Sequence, residues 1–189
     1  MVAEGGADEF VISVDETDFL TLDPIPEILR RSVVPLALAY RTDEGAAVIE
    51  PIGTAFVISR LASGQALLAT ADHNVEELRI GSKLVILLPK SGTTEGGLQG
   101  LAVSGTSRAQ SSSDVALLTA PIDDSVATPM LIPLSLEIPQ VGENCLALGY
   151  SELVIGEPVG LEARALFRLS SSRGRIEEVH PSRRDPPAK

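Results

Sequence analysis

From Val33 onward the chain is a succession of short apolar runs broken by Gly, Ser, Asp and Pro clusters at fairly regular spacing. The runs read VVPLALAY, AAVIEPIGTAFVIS, QALLATA, LRIGSKLVILLP, LQGLAVSGTSRAQ, DVALLTAP, NCLALGYS, EARALFRLSSS and GRIEEVHP. No helical period is sustained in this region. Many short apolar runs with turn punctuation predict an all-β sandwich or barrel. Pro51 and Gly53 predict a bend between AAVIE and TAFVIS. Before Val33 the pattern is different. EFVISV predicts a peripheral strand, and DPIPEILRRS predicts a short helix capped by Asp23, with Arg30 and Arg31 at its C-terminal end. Near the other end, residues alternate in ARALFRLS and again in GRIEEVH. That pattern predicts a hairpin of a second sheet, turned by SSSRG.

Composition sharpens this picture in three places. With 44% hydrophobic residues and only 3% aromatics, the core must be built from Val, Ile, Leu and Ala. A chain of 189 residues is long enough for one domain with a real core, or for two small barrels that share one. The net charge is −11 and unevenly spread. No Lys or Arg precedes Arg30, whereas Glu4, Asp8, Glu9, Asp15, Glu16, Asp18, Asp23 and Glu27 are acidic. An acidic chain repels phosphate backbones, so no nucleic-acid partner is expected. The arginines from Arg164 to Arg184 are interleaved with Glu177 and Glu178 and predict a solvated tail.

Cys145 is the only cysteine, so no internal disulfide can form. In GENCLALGY it alternates with apolar residues, which predicts a small buried hydrophobe. The N-terminus lacks the basic start and apolar run of a signal peptide. No uncharged apolar stretch approaches the roughly 18 residues of a membrane span, so a cytoplasmic location with no membrane contact is expected.

The candidate chemistry lies in three segments that fall in one order. They are GTAFVI (residues 53–58), LATADH (residues 68–73) and DVALL (residues 114–118). A histidine on a strand-end corner and an aspartate opening another strand can converge at one end of a barrel. The roughly 40 residues between them leave room for the intervening hairpins. Imidazole is the side chain poised near neutral pH, and a carboxylate beside it fixes its tautomer and stabilises the imidazolium. Taken alone, His73 would be a surface histidine on a turn and Asp114 a strand-opening aspartate. The ordered set gives them a shared role.

That set resembles the trypsin-like (chymotrypsin-fold) serine proteases, particularly bacterial members. Their first barrel reads roughly GTGFVI, then LVTAAH, then a D-[IV]-A-L-L strand. The resemblance covers Val33 to about His180 and implies a chymotrypsin-like double β-barrel. It implies that His73 is the general base and Asp114 its orienting carboxylate. GENCLALGYS resembles the opening of the second barrel, and GRIEEVHP the strand pair that follows it. Three domains are expected on this basis. Residues 1–32 form an acidic extension, 33–135 a complete first barrel, and 136–189 a partial second barrel with a basic tail.

Two departures from the family pattern change the expectation. Asp72 precedes His73 where the family usually has Ala, so it either raises the basicity of the histidine or rims the cleft. The second departure is the nucleophile. The family presents its serine in a G-[DNM]-S-G-G loop whose backbone N–H groups also form the oxyanion hole. The serines in ASGQ, KSGTTEGG, VSGTSR, LSSSRG and HPSRRD lie in the wrong place or lack those glycines. The family places that loop a few tens of residues beyond His180. No nucleophile is therefore expected in this chain, and by itself it is expected to be inactive.

Other chemistries fail on inventory. Two distant histidines and one isolated cysteine make no zinc spacing. The pairs Asp123–Asp124 and Glu177–Glu178 are adjacent in sequence and would face opposite sides of a strand. SGTTEGG lacks the lysine and helix of a phosphate loop and predicts a hairpin loop. His180 has no carboxylate partner except Asp185 in the tail. No cofactor or metal is expected. The expected partners are a protein or peptide substrate, and a complementing chain or a second copy of this one. The alternative is a non-catalytic protease-like barrel that binds a peptide strand through an open sheet edge.

Overall fold

The computed structural model describes residues 11–13, 27–76, 78, 81–91, 97–109, 114–123, 126–135, 137–155 and 162–179. In chain order the elements are β1 (Val11–Ser13), α1 (Glu27–Ser32), β2 (Val33–Arg41), β3 (Ala47–Arg60), β4 (Gln65–Thr70), α2 (His73–Glu76), β5 (Lys83–Pro89), β6 (Gly97–Ala102), β7 (Gly105–Arg108), β8 (Ala116–Pro121), β9 (Asn144–Ile155) and β10 (Glu162–Arg175). The protein is mostly β, as the apolar pattern predicts.

Seven strands make one curled antiparallel sheet in the order β7-β8-β4-β3-β2-β5-β6. Its two edges, β6 and β7, are separated in the chain only by Val103 and Ser104. The Val103 N–H donates to Leu84 on the β5 side, and the Ser104 N–H donates to Thr119 on β8. This bend brings the two ends of the seven-strand sheet near one another and leaves it curled as a half-barrel. Together with a second, small sheet made by β9 and β10, the arrangement is consistent with a chymotrypsin-like fold.

Strand alternation fills the curl. Ala66, Leu68 and Thr70 of β4 point inward, and Ala116, Leu118 and Ala120 of β8 meet them. Val34, Leu36 and Leu38 of β2 and Leu84, Ile86 and Leu88 of β5 complete the same cluster. Each fully buried Leu or Ile removes enough apolar surface from water to contribute about 1.5–3 kcal/mol. Strands β2 and β5 are buried on both faces. Their other sides, at Ala37, Ala39, Val85 and Leu87, meet Leu98, Ile49 and Tyr150. A strand covered on both sides reads as a continuous apolar run, which is the pattern of VVPLALA and LVILL.

The bend at Pro51 and Gly53 takes the form of a register shift. Leu36 pairs with Gly53 and Ala37 with Pro51, so Ile52 is the extra residue of a bulge. The expected helix is present as α1, whose Leu29 packs against the cluster of Val33 and Leu169. Its Asp23 cap lies outside the described residues. So do the SGTTEGG loop apart from its first and last residues, His180 and the C-terminal tail. EFVISV contributes β1, which pairs antiparallel with β6 and parallel with β10 and so stitches the two sheets together.

Two expectations are corrected. SSSRG is not a turn: β10 runs straight through it, pairing Ser170 with Gly149 and Gly174 with Cys145. The long β9 offers a backbone partner to every residue there. Gly174 does not adopt the positive φ seen at Gly45, Gly64, Gly81 and Gly142. Cys145 is exposed rather than buried. It lies at the start of β9, where residues 144–147 are exposed, and its thiol sits across Gly174, 3.4 Å from where a Cβ would stand.

Hydrogen bonds through Thr54 hold the sheets and the α2 corner together. The Tyr150 N–H donates to Thr54 Oγ1 (2.9 Å), and Thr70 Oγ1 donates to the Thr54 carbonyl (2.8 Å). Asn74 Nδ2 in turn donates to Thr70 Oγ1 (3.0 Å). The Asn74 amide lies over Gly53 so closely that a Cβ there would be 2.5 Å from Nδ2. A Cβ at Gly53 would therefore force the Asn74 amide out of its place. Gly53→Ala should cost about 1–3 kcal/mol, the usual range for overpacking, read as a lower thermal midpoint. Adding Asn74→Ala should recover part of the loss. Strictly additive effects of the two changes would show that the contact is not the cause.

Candidate active site

Strand β4 ends at the buried Thr70, and the chain then turns through Ala71 and Asp72 into the single helical turn of α2. The Asn74 N–H donates to Ala71 and the Val75 N–H to Asp72, which makes the corner tight. Val75, only 4% exposed, anchors it in the core, while His73 stays outside. The β7–β8 hairpin lies against this corner. Thr70 pairs with Ala116, so the register carries Asp114, two residues before Ala116, up to His73, three residues after Thr70.

His73 and Asp114 are brought together as the sequence predicts. Asp114 Oδ2 lies 2.7 Å from His73 Nδ1, and Asp114 Oδ1 accepts the His73 backbone N–H at 3.0 Å. One carboxylate thus holds both the ring and the backbone of the same residue. The His73 backbone N–H, and then its ring, hold the Asp114 carboxyl below the usual range, so it is ionised and can only accept. In the neutral imidazole the proton between the two groups therefore sits on Nδ1, which leaves Nε2 as the acceptor. The His73 and Asp114 side chains are 67% and 58% exposed, so solvent screens the pair, and its contribution to stability is small beside its role in orienting the ring. Among the described residues, Asp114 is the only side chain bonded to the His73 ring.

The structure settles the position of Asp72. Its two oxygens accept from Arg108 Nε at 2.7 Å and Nη2 at 2.6 Å, a bidentate fork. The Asp72 side chain is only 18% exposed, and the same Nη2 lies 3.3 Å from Glu76 Oε1. The Arg108 hydrogen bonds hold the Asp72 carboxyl below its ordinary range, and Asp72 in turn raises Arg108. Arg108 has no signature in the sequence. The available signal was Asp72 itself, an unexpected carboxylate beside a histidine, which calls for a cation. Gly53, Thr70 and Asn74, which support the corner, were likewise legible only as strand and turn residues.

No group of three or more His, Cys, Asp or Glu side chains suited to a metal occurs among the described residues. No helix among them is long and apolar enough to cross a membrane.

No family model matches this chain. No curated protein matches it either. Among solved structures, that of granzyme C, a serine protease, is similar at 14% identity and a TM-score of 0.46. The similarity covers 82% of this chain and 63% of that one, so this chain spans less than two-thirds of that neighbour's length.

The two lowered carboxyls of this corner, Asp72 and Asp114, fix the sign of its acid response. Each has a folded-state pKa below the ordinary value of 3.8, so the unfolded chain binds protons first as pH falls. Their contribution to stability is complete above that value and is lost as pH drops below it. Thermal midpoints measured between pH 6 and pH 2.5 should therefore fall less steeply in Asp114→Asn and Asp72→Asn than in the wild type. Identical slopes would contradict the observed pairing.

Proposed function

We propose that this chain carries the base-and-carboxylate half of a trypsin-like serine endopeptidase site. His73 Nε2 is the proton acceptor and Asp114 the group that orients the ring. The observation that carries this reading is the two-point grip of Asp114 on the His73 ring and backbone at 2.7 and 3.0 Å. A serine hydroxyl is a weak nucleophile and needs such a base beside it. The serine and the oxyanion donors are not supplied by the described residues, so peptide hydrolysis needs them from further chain or from a second polypeptide.

A second reading is favoured by a different region. Leu134, Ile138, Val141 and Leu146 are between 43% and 79% exposed, and the outer edge of β9 pairs with no strand among the described residues. An open strand edge, with exposed apolar side chains in the segment that leads into it, suits a non-catalytic barrel that adds a peptide strand from a protein partner.

The two readings separate in one assay. Expressed from its complete reading frame, the protein should be labelled at a serine by a fluorophosphonate probe and should turn over a peptide substrate. The 189-residue chain alone should do neither. Asp114→Asn should lower kcat by about ten-thousandfold, and His73→Ala should lower it at least as far. Turnover that survives His73→Ala overturns the enzyme reading, and so does absence of labelling in the complete product.

A further inference from the structure

The β7–β8 hairpin touches the α2 corner at two places, and the contacts have opposite charge. Asp114, just before β8, takes His73. Arg108, the last residue of β7, takes Asp72 and Glu76. The two arms are fixed relative to one another because Arg108 pairs with Ala116 and the Ala109 N–H donates to Val115. We propose that Arg108 is a positioning residue for His73: by binding Asp72 through both guanidinium nitrogens, it leaves Asp114 as the single carboxylate partner of the imidazole. This inference rests on the reading of His73 as the base.

The charges around the ring support it. The corner contributes Asp72 and Glu76, the segment before β8 contributes Asp114, and β7 contributes Arg108. Three carboxylates and one permanent cation therefore lie on this corner and the hairpin against it. Asp72 is the immediate neighbour of His73 in the chain, close enough for the two charges to act on one another. With Arg108 in place, both Asp72 oxygens are occupied and its charge is matched. Without it, Asp72 regains two free acceptor oxygens beside the ring, and the like charges of Asp72, Glu76 and Asp114 push the corner away from the hairpin. The ring would then be shared between carboxylates, and the Nδ1-protonated form would no longer be the only one populated. Arg108 is the side chain that makes an aspartate tolerable immediately before His73. The Arg108→Lys substitution keeps a point charge but removes the fork, so it should hold Asp72 less well.

The test uses ring-labelled histidine in the 189-residue chain, with the tautomer of His73 read by nitrogen NMR at a pH where the ring is neutral. The wild type should show the Nδ1-protonated form. Arg108→Ala should show a mixture. Arg108→Ala with Asp72→Asn should return to the Nδ1-protonated form, because the competing carboxylate is gone. Arg108→Lys should fall between the wild type and Arg108→Ala. If Arg108→Ala is poorly folded, Arg108→Lys and the double variant carry the test. The inference is overturned if Arg108→Ala or Arg108→Lys keeps the wild-type tautomer, or if the double variant remains mixed. Asp114→Asn is the control for the underlying reading: an unchanged tautomer there removes Asp114 as the orienting group, whatever Arg108 does. In a form that turns over peptide, Arg108→Ala should lower kcat by up to about a hundredfold with KM little changed, the scale of a small misplacement of a reacting group.

Discussion

The geometry depends on the register between β4 and β8. Six residues pair across it, from Gln65 with Pro121 to Thr70 with Ala116. Side chains alternate along a strand, so a slip of one residue would exchange the buried Ala66, Leu68 and Thr70 for their outward neighbours. It would also move Asp114 away from His73. The aliphatic core holds that register, because Leu68 and Leu118 are both fully buried and belong to one cluster. An exposed, screened ion pair could not set its own geometry. Here the core sets it, and the His73–Asp114 pair inherits a fixed approach.

The corner between β4 and α2 shows how that rigidity reaches the surface. Val75 fastens one side of the turn to the core, and the Asn74–Thr70–Thr54 hydrogen bonds fasten the other. Tyr150 extends the same network to the second sheet through Thr54 Oγ1. His73 therefore stands on a support shared by both sheets. Outside it, Arg108 and Asp114 grip the same turn with opposite charges. A single carboxylate beside a histidine is a simple device. Three carboxylates with one arginine need each charge assigned to a partner, and the hairpin makes that assignment.

The sequence was informative where one residue type leaves few options. The short apolar runs QALLATA and DVALLTAP placed β4 and β8, and VVPLALAY and LRIGSKLVILLP placed β2 and β5. The order GTAFVI, LATADH and DVALL singled out His73 and Asp114. Gly53 appeared in that motif without its reason, which is the Asn74 amide lying where a Cβ would be. The sequence was least informative where a tertiary partner decides. Ser170, Ser171 and Ser172 carry turn-like composition, yet β9 gives each a strand partner, so they extend β10. Cys145 alternates with apolar residues, yet that end of β9 is exposed. Arg108 pairs with a residue 36 positions away, a distance at which no local pattern reports a contact.

The central claim is that Asp114 and His73 act as one unit set by the fold. A double-mutant cycle on unfolding free energy tests it directly, using His73→Ala, Asp114→Ala and the two together in the 189-residue chain at neutral pH. Residues in contact give a non-additive cycle, whereas independent sites add within about 0.3–0.5 kcal/mol. The account predicts a coupling that shrinks below the ordinary carboxyl pKa as Asp114 takes up a proton. Its backbone contact, made to the His73 N–H, persists in His73→Ala, so the coupling isolates the ring. Strict additivity across the pH range would mean that the carboxylate and the imidazole do not meet in solution, and it would contradict the site described.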